Sequence, residues 1–136
     1  MTKVSMNTKL NVSADEAWRL IGGFNTLPDW HPAVENSELT EEGQTRTLSL
    51  AGGGGTIVEK LEKMDDGSRT YSYSIVDSPL PVANYSATIK VSGEGDDCTI
   101  EWTGEFDAVG PENEAVDAIS GIFQAGFDNL NKMFGR

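Results

Sequence analysis

The sequence predicts an α+β fold: a bent antiparallel sheet of six or seven strands wrapped around one long C-terminal helix, with two short helices after the first strand. Three observations carry this. From Pro111 to Phe134, apolar residues recur at steps of three and four (Ala115, Val116, Ile119, Ile122, Phe123, Phe127, Leu130, Met133, Phe134), the period of one helical face. From Val34 to Ala108, strand-like runs follow one another across short turns rich in Gly and Asp, which makes an antiparallel meander. Before them, one alternating run leads into helix-start signals. A single curved sheet cannot cover its own concave face, and the terminal helix is the one element long enough to fill it.

Taken in order, Lys3 to Val12 alternates, with Val4, Met6, Thr8, Leu10 and Val12 on one face. Ser13 to Glu16 reads as a capping box with Ser13 as the cap. The helix it opens carries Ala17, Trp18, Leu20 and Ile21 inward and ends at Gly22-Gly23. Phe24 to Trp30 forms a second short helical turn, stopped by Pro32. Strands are then expected at Val34–Thr40, Gln44–Ala51, Thr56–Lys63, Arg69–Val76, Asn84–Ser92 and Cys98–Ala108. Gly52 to Gly55, Asp65-Asp66-Gly67 and Gly93 to Asp97 supply the turns, and Glu41-Glu42 reads as a solvated one. Gly110-Pro111-Glu112 starts the last helix. Glu112, Glu114 and Asp117 near its start and Lys132 and Arg136 near its end complement its dipole. Gly121 and Gly126 within it permit close approach, either of a strand or of a ligand.

Composition narrows the function classes. The 136 residues suit one domain, expected to span 1–136. A formal net charge of -12 argues against nucleic acid and anionic membrane surfaces as partners. The N-terminus shows no apolar run like a signal peptide, and one cysteine, Cys98, suits a reducing compartment, so a cytoplasmic location is expected. His31 is the one histidine and no CxxC occurs, which leaves no metal site of the zinc type and no cofactor to expect.

Sheet alternation indicates which side chains face the interior. Ile100, Trp102, Gly104 and Phe106 share one face of the last strand; Tyr85, Ala87, Ile89 and Val91 face inward before it, and Tyr71, Tyr73 and Ile75 before that. Arg46 and Glu59 share an apolar face with Leu48, Leu50, Ile57 and Leu61. An even loop at Gly52–Gly55 sets Leu48 opposite Glu59 and Arg46 opposite Leu61, with Arg46 and Glu59 on a diagonal. They form an internal ion pair, or a bulge turns one of them outward. His31, between Trp30 and Pro32, is either a pocket hydrogen bonder and acid/base group or a turn residue capping backbone groups.

Several stretches carry a family resemblance: Leu27-Pro28-Asp29-Trp30-His31-Pro32-Ala33-Val34, Gly43 to Leu48, Val58-Glu59-Lys60-Leu61, Pro79 to Tyr85 and Glu101 to Phe106. Over nearly its whole length the chain resembles the START-like, or Bet v 1-like (SRPBCC), superfamily. More closely it resembles the polyketide cyclase/dehydrase and lipid-transport family of small bacterial proteins. The resemblance implies the helix-grip fold with a cavity between sheet and C-terminal helix. Ser78-Pro79-Leu80-Pro81-Val82 is similar to the gate loop of plant hormone receptors of this superfamily, which implies that Leu80 covers the cavity mouth. Fold alone does not select an activity.

The expected function is binding of a small, largely apolar ligand, aromatic, polyketide-like or lipid-like, in that cavity. Expected ligand-binding residues are Trp30, His31, Arg46, Glu59, Tyr73, Leu80, Tyr85, Trp102, Phe123 and Phe127. One alternative is an enzyme of the polyketide cyclase/dehydratase type, with His31 and Glu59 catalytic and Tyr73 or Tyr85 sharing proton transfer. A second is a protein-interaction or chaperone-cofactor module. Either a monomer or a homodimer is compatible with the sequence.

Overall fold

The computed structural model describes residues 2–40, 43–93 and 95–134. The expectations for Glu41-Glu42, Glu94 and Arg136 lie outside the described residues. The chain runs β1 (Thr2–Leu10), α1 (Ala14–Ile21), α2 (Leu27–Trp30), β2 (Val34–Thr40), β3 (Thr45–Leu50), β4 (Thr56–Asp65), β5 (Thr70–Asp77), β6 (Val82–Ser92), β7 (Cys98–Ala108) and α3 (Glu112–Phe134). The strands form one antiparallel sheet in the order β1-β7-β6-β5-β4-β3-β2. The bent sheet grips α3, whose inner stripe Ala115, Ile119, Phe123, Gly126, Phe127 and Leu130 is buried. The facing stripes of the sheet are buried too: Tyr85, Ala87, Ile89 and Val91 on β6, and Ile100, Trp102, Gly104 and Phe106 on β7.

Local chemistry sets the ends. Ser13 Oγ accepts from the Glu16 N–H at 3.3 Å and starts α1. Gly22 caps it by donating to the Trp18 carbonyl at 2.8 Å. β1 stops at Leu10, not Val12, because Leu10 lies opposite Cys98, where its partner strand begins. Trp18 is half-buried against the core beside Tyr71, and its indole N–H donates to Asp66 Oδ1 at 2.9 Å, tying α1 to the β4–β5 turn. Met133, expected on the apolar face of α3, is exposed.

The β3–β4 hairpin departs from the expected register by two residues. Arg46 lies directly opposite Glu59, and Leu48 opposite Ile57. The Ala51 N–H donates instead to the Ala33 carbonyl at 2.9 Å, which pulls Ala51 out of the hairpin. The turn is then made by a short 3-10 segment, Ala51–Gly53, with Gly52 and Gly53 at φ 71° and 76°. A two-residue shift preserves the side-chain face, so Arg46 and Glu59 remain on the inner side.

Candidate functional site

The strongest electrostatic feature of the interior is the Arg46–Glu59 pair. Arg46 is 1% exposed and Glu59 5%. Arg46 donates from Nε to Glu59 Oε1 at 2.8 Å, and its Nη2 lies 2.6 Å from the same oxygen. Its Nη1 donates to the Phe24 carbonyl at 2.6 Å. The guanidinium carbon sits 4.2 Å from the Phe24 ring centroid and 5.1 Å from that of Tyr73. Two hydrogen bonds, a close ionic contact and an aromatic bracket compensate an ion pair that would otherwise be costly to bury. Burial pushes the Glu59 carboxyl above its usual range, while Arg46 pulls in the opposite direction.

His31 is held as firmly. α2 ends because His31 takes an extended conformation (φ -109°, ψ 114°) ahead of Pro32. The Ala33 N–H donates to His31 Nδ1 at 3.1 Å, so Nδ1 carries no proton. Nε2 therefore carries it and donates to the Ile122 carbonyl of α3 at 2.7 Å. Asn129 Nδ2 donates to the Trp30 carbonyl at 2.9 Å, a second tie between this turn and α3. Burial lowers the His31 pKa below its ordinary value. His31 is thus a neutral imidazole whose two nitrogens both serve backbone groups, the capping reading of the sequence.

Gly126 makes this docking possible. A Cβ there would stand 2.9 Å from His31 Cδ2, 3.0 Å from Trp30 Cζ3 and 3.2 Å from Trp102 Cζ3. Gly121, by contrast, faces open space. Beneath the turn, Trp102 stacks on Phe123 with centroids 4.3 Å apart, and its indole N–H donates to the Tyr73 hydroxyl at 3.1 Å. Trp30 Nε1 is buried with no acceptor among the described residues.

A cavity of about 50 Å³ lies between sheet and α3. Of the residues expected to bind ligand, His31, Glu59, Tyr73, Leu80, Tyr85 and Trp102 line it. Trp30, Arg46, Phe123 and Phe127 are not on its wall; they form the layer behind. The rest of the wall is apolar: Leu27, Ala33, Val34, Leu48, Leu50, Ile57, Ile75, Ile119 and Ile122. Most of these sit on faces the alternation had marked as inward, but no residue type among them advertises a ligand. Asn129 escaped notice because an exposed-looking amide in a helix carries no signal for a bond to Trp30, 99 residues away. Burial raises the Tyr73 and Tyr85 hydroxyls above the ordinary phenol range, so both are donors. The chamber therefore offers an apolar lining, one carboxylate backed by a guanidinium, and phenolic hydroxyls.

Comparison with known proteins agrees with this architecture. The family model for polyketide cyclase / dehydrase and lipid transport matches residues 1–135. Protein XoxI from Bacillus cereus is 39% identical, with a TM-score of 0.94 over 98% of this chain and 96% of that one. An uncharacterised protein from Bacillus thuringiensis is 38% identical, with a TM-score of 0.94 over 99% of this chain and 100% of that one. A START superfamily protein from Mycobacterium smegmatis, 12% identical, has a TM-score of 0.79 over 98% of this chain and 97% of that one, a likeness of fold alone. No protein with a curated description matches the chain. No helix among the described residues is long and apolar enough to cross a membrane.

Proposed function

Since this chain belongs to the polyketide cyclase / dehydrase and lipid transport family, we propose that it binds a small, largely apolar ligand, aromatic, polyketide-like or lipid-like, in the chamber between sheet and α3. The observation that carries this reading is the placement of Glu59. A buried carboxylate faces an otherwise greasy chamber and is held there by a guanidinium with no place on the wall. A core needing only stability gains little from such a pair, and an apolar replacement of similar volume is often as stable. A ligand with one polar point gains an oriented partner.

The volume says more. A space of about 50 Å³ holds on the order of three or four waters. Pockets for drug-sized ligands run to roughly 300 Å³ and above. The chamber here is small, and a ring-sized ligand requires its wall to move. Leu80 is the candidate: it is half-buried, it sits on the connection between β5 and β6, and it lines the chamber.

The enzyme alternative is narrowed by the same geometry. His31 has no free nitrogen for proton transfer, which leaves Glu59, with Tyr73 or Tyr85 as donor. The interaction-module alternative has less support. Among the described residues, the large exposed apolar side chains Leu39, Met64, Val76, Val109 and Met133 lie on five separate segments of the chain.

The test is native mass spectrometry of the protein purified from its own host, followed by thermal unfolding with the recovered molecule. The expected result is a carried small molecule that raises the unfolding temperature without being turned over. Consumption of the molecule, abolished by Glu59→Gln in a folded variant, would replace the binding reading with the enzymatic one. A protein that carries nothing and is stabilised by no apolar probe would overturn both.

A further inference from the structure

We propose that the split between β5 and β6 is a second binding site, for the neutral or cationic head group of an amphipathic ligand whose apolar part lies in the chamber. The inference rests on the chamber reading above. The β5–β6 ladder runs from Thr70 opposite Lys90 to Ser74 opposite Ser86 and stops there. Both strands continue apart. β5 follows β4 until Asp77 lies opposite Val58, while β6 begins along β7 with Val82 opposite Ala108. The sheet opens as a V, with residues 75–77 on one arm and 82–85 on the other. Between the arms lies an open cleft of about 370 Å³, lined by Asp77, Ser78, Asn84 and their neighbours.

The opening is built into the backbone. β6 shifts register between Ala83 and Ser86. Asn84 takes φ 54°, in the left-handed region that residues other than glycine seldom adopt. Its Nδ2 donates to Asp107 Oδ2 on β7 at 2.9 Å, which holds this stretch away from β5. Arms that give up their mutual ladder present main-chain N–H and C=O groups to the gap, where Val76, Asp77, Ala83 and Asn84 are exposed and water or a ligand can bond them. A ligand head with donors and acceptors matches them.

Cleft and chamber share two residues, Ile75 and Tyr85. An occupant of both passes between them, its apolar end against Trp102 and its polar end outside. Charge selects the head. Among the described residues the cleft wall contains Asp77 and no Lys or Arg, and Asp107 stands behind Asn84, while the charge of Glu59 inside is compensated by Arg46. An ammonium or hydroxyl group suits this field; a carboxylate or phosphate meets repulsion.

The experiment titrates isotope-labelled protein with phenylbutylamine, phenylbutanol and phenylbutanoate at neutral pH and follows amide resonances. The amine is expected to bind about fivefold or more tighter than the carboxylate, the size of effect one exposed carboxylate supports when attraction replaces repulsion. Amides of Val76, Asp77, Ala83 and Asn84 are expected to shift with the amine. Asp77→Asn is expected to bring amine and carboxylate to within about twofold of each other. Equal affinities in the wild type, a ratio that survives Asp77→Asn, or shifts confined to chamber residues would overturn the cleft and leave the chamber standing. Binding of none of the three would overturn both.

Discussion

Arg46 and Glu59 face each other across the β3–β4 ladder, and Arg46 places both its Nε and its Nη2 on one carboxylate oxygen. The pair couples two adjacent strands through a bond almost wholly out of water. Removing one member strands the other. Arg46→Met is expected to cost roughly 3–5 kcal/mol in urea unfolding, and Arg46→Met with Glu59→Leu to recover most of it. A double variant as unstable as the single would show that the pair's hydrogen bond to Phe24, and not its charge, dominates.

His31 gives a pH dependence whose sign follows from burial. Its folded-state pKa lies below the ordinary value near 6.5. Between these two values the unfolded chain takes up a proton that the folded chain refuses. Stability therefore falls as pH drops from about 6.5 toward the folded-state pKa. Carboxylates also titrate on acidification, so the informative quantity is the difference between wild type and His31→Gln. Urea unfolding at neutral and mildly acidic pH should show the wild type losing more stability than the variant. Parallel pH profiles would mean that the imidazole titrates freely in the fold.

Most of the architecture was legible in the sequence because it follows from periodicity. The inner stripes of β6 and β7 and the buried face of α3 are statements about spacing, and tertiary contacts did not override them. The β3–β4 register was not legible, since the Ala51–Ala33 hydrogen bond that removes Ala51 from the hairpin joins residues 18 apart on different elements. Parity survived, so the inward placement of Arg46 and Glu59 was right for a reason independent of their exact partners. At the site, the sequence located the His31 turn but not the Ile122 carbonyl that occupies its ring. It flagged Leu80 by its flanking prolines, yet gave no hint that β5 and β6 separate behind it, because divergence of two strands leaves no mark on their alternation.

The two glycines of α3 are expected to respond in opposite ways. At Gly121 an added Cβ meets nothing within 4 Å, so Gly121→Ala should stabilise by about 0.5–1 kcal/mol through helix propensity. At Gly126 the same methyl group meets three packed rings, and the overpacking cost of roughly 1–3 kcal/mol exceeds the propensity gain. Thermal unfolding of both variants is the check. A stabilised Gly126→Ala would mean that the Trp30–His31 turn lifts off α3 easily, which would make that turn the mobile wall.

Leu80 tests the entrance directly. Its side chain is half-buried on the chamber wall, and its backbone is anchored: the Leu80 N–H donates to Ser78 Oγ at 3.2 Å and its carbonyl accepts from Val82 at 2.8 Å. Leu80→Ala removes part of the cover without disturbing those anchors, at a cost of about 1 kcal/mol for a half-buried site. Stopped-flow mixing with an apolar aromatic probe, read by Trp102 fluorescence in a Trp18→Phe, Trp30→Phe background, should then show association faster by about three- to tenfold. If dissociation accelerates in parallel, the side chain acts as a gate and contributes little to affinity. An unchanged association rate would place the route elsewhere, and the gap between β5 and β6 would become the leading path inward.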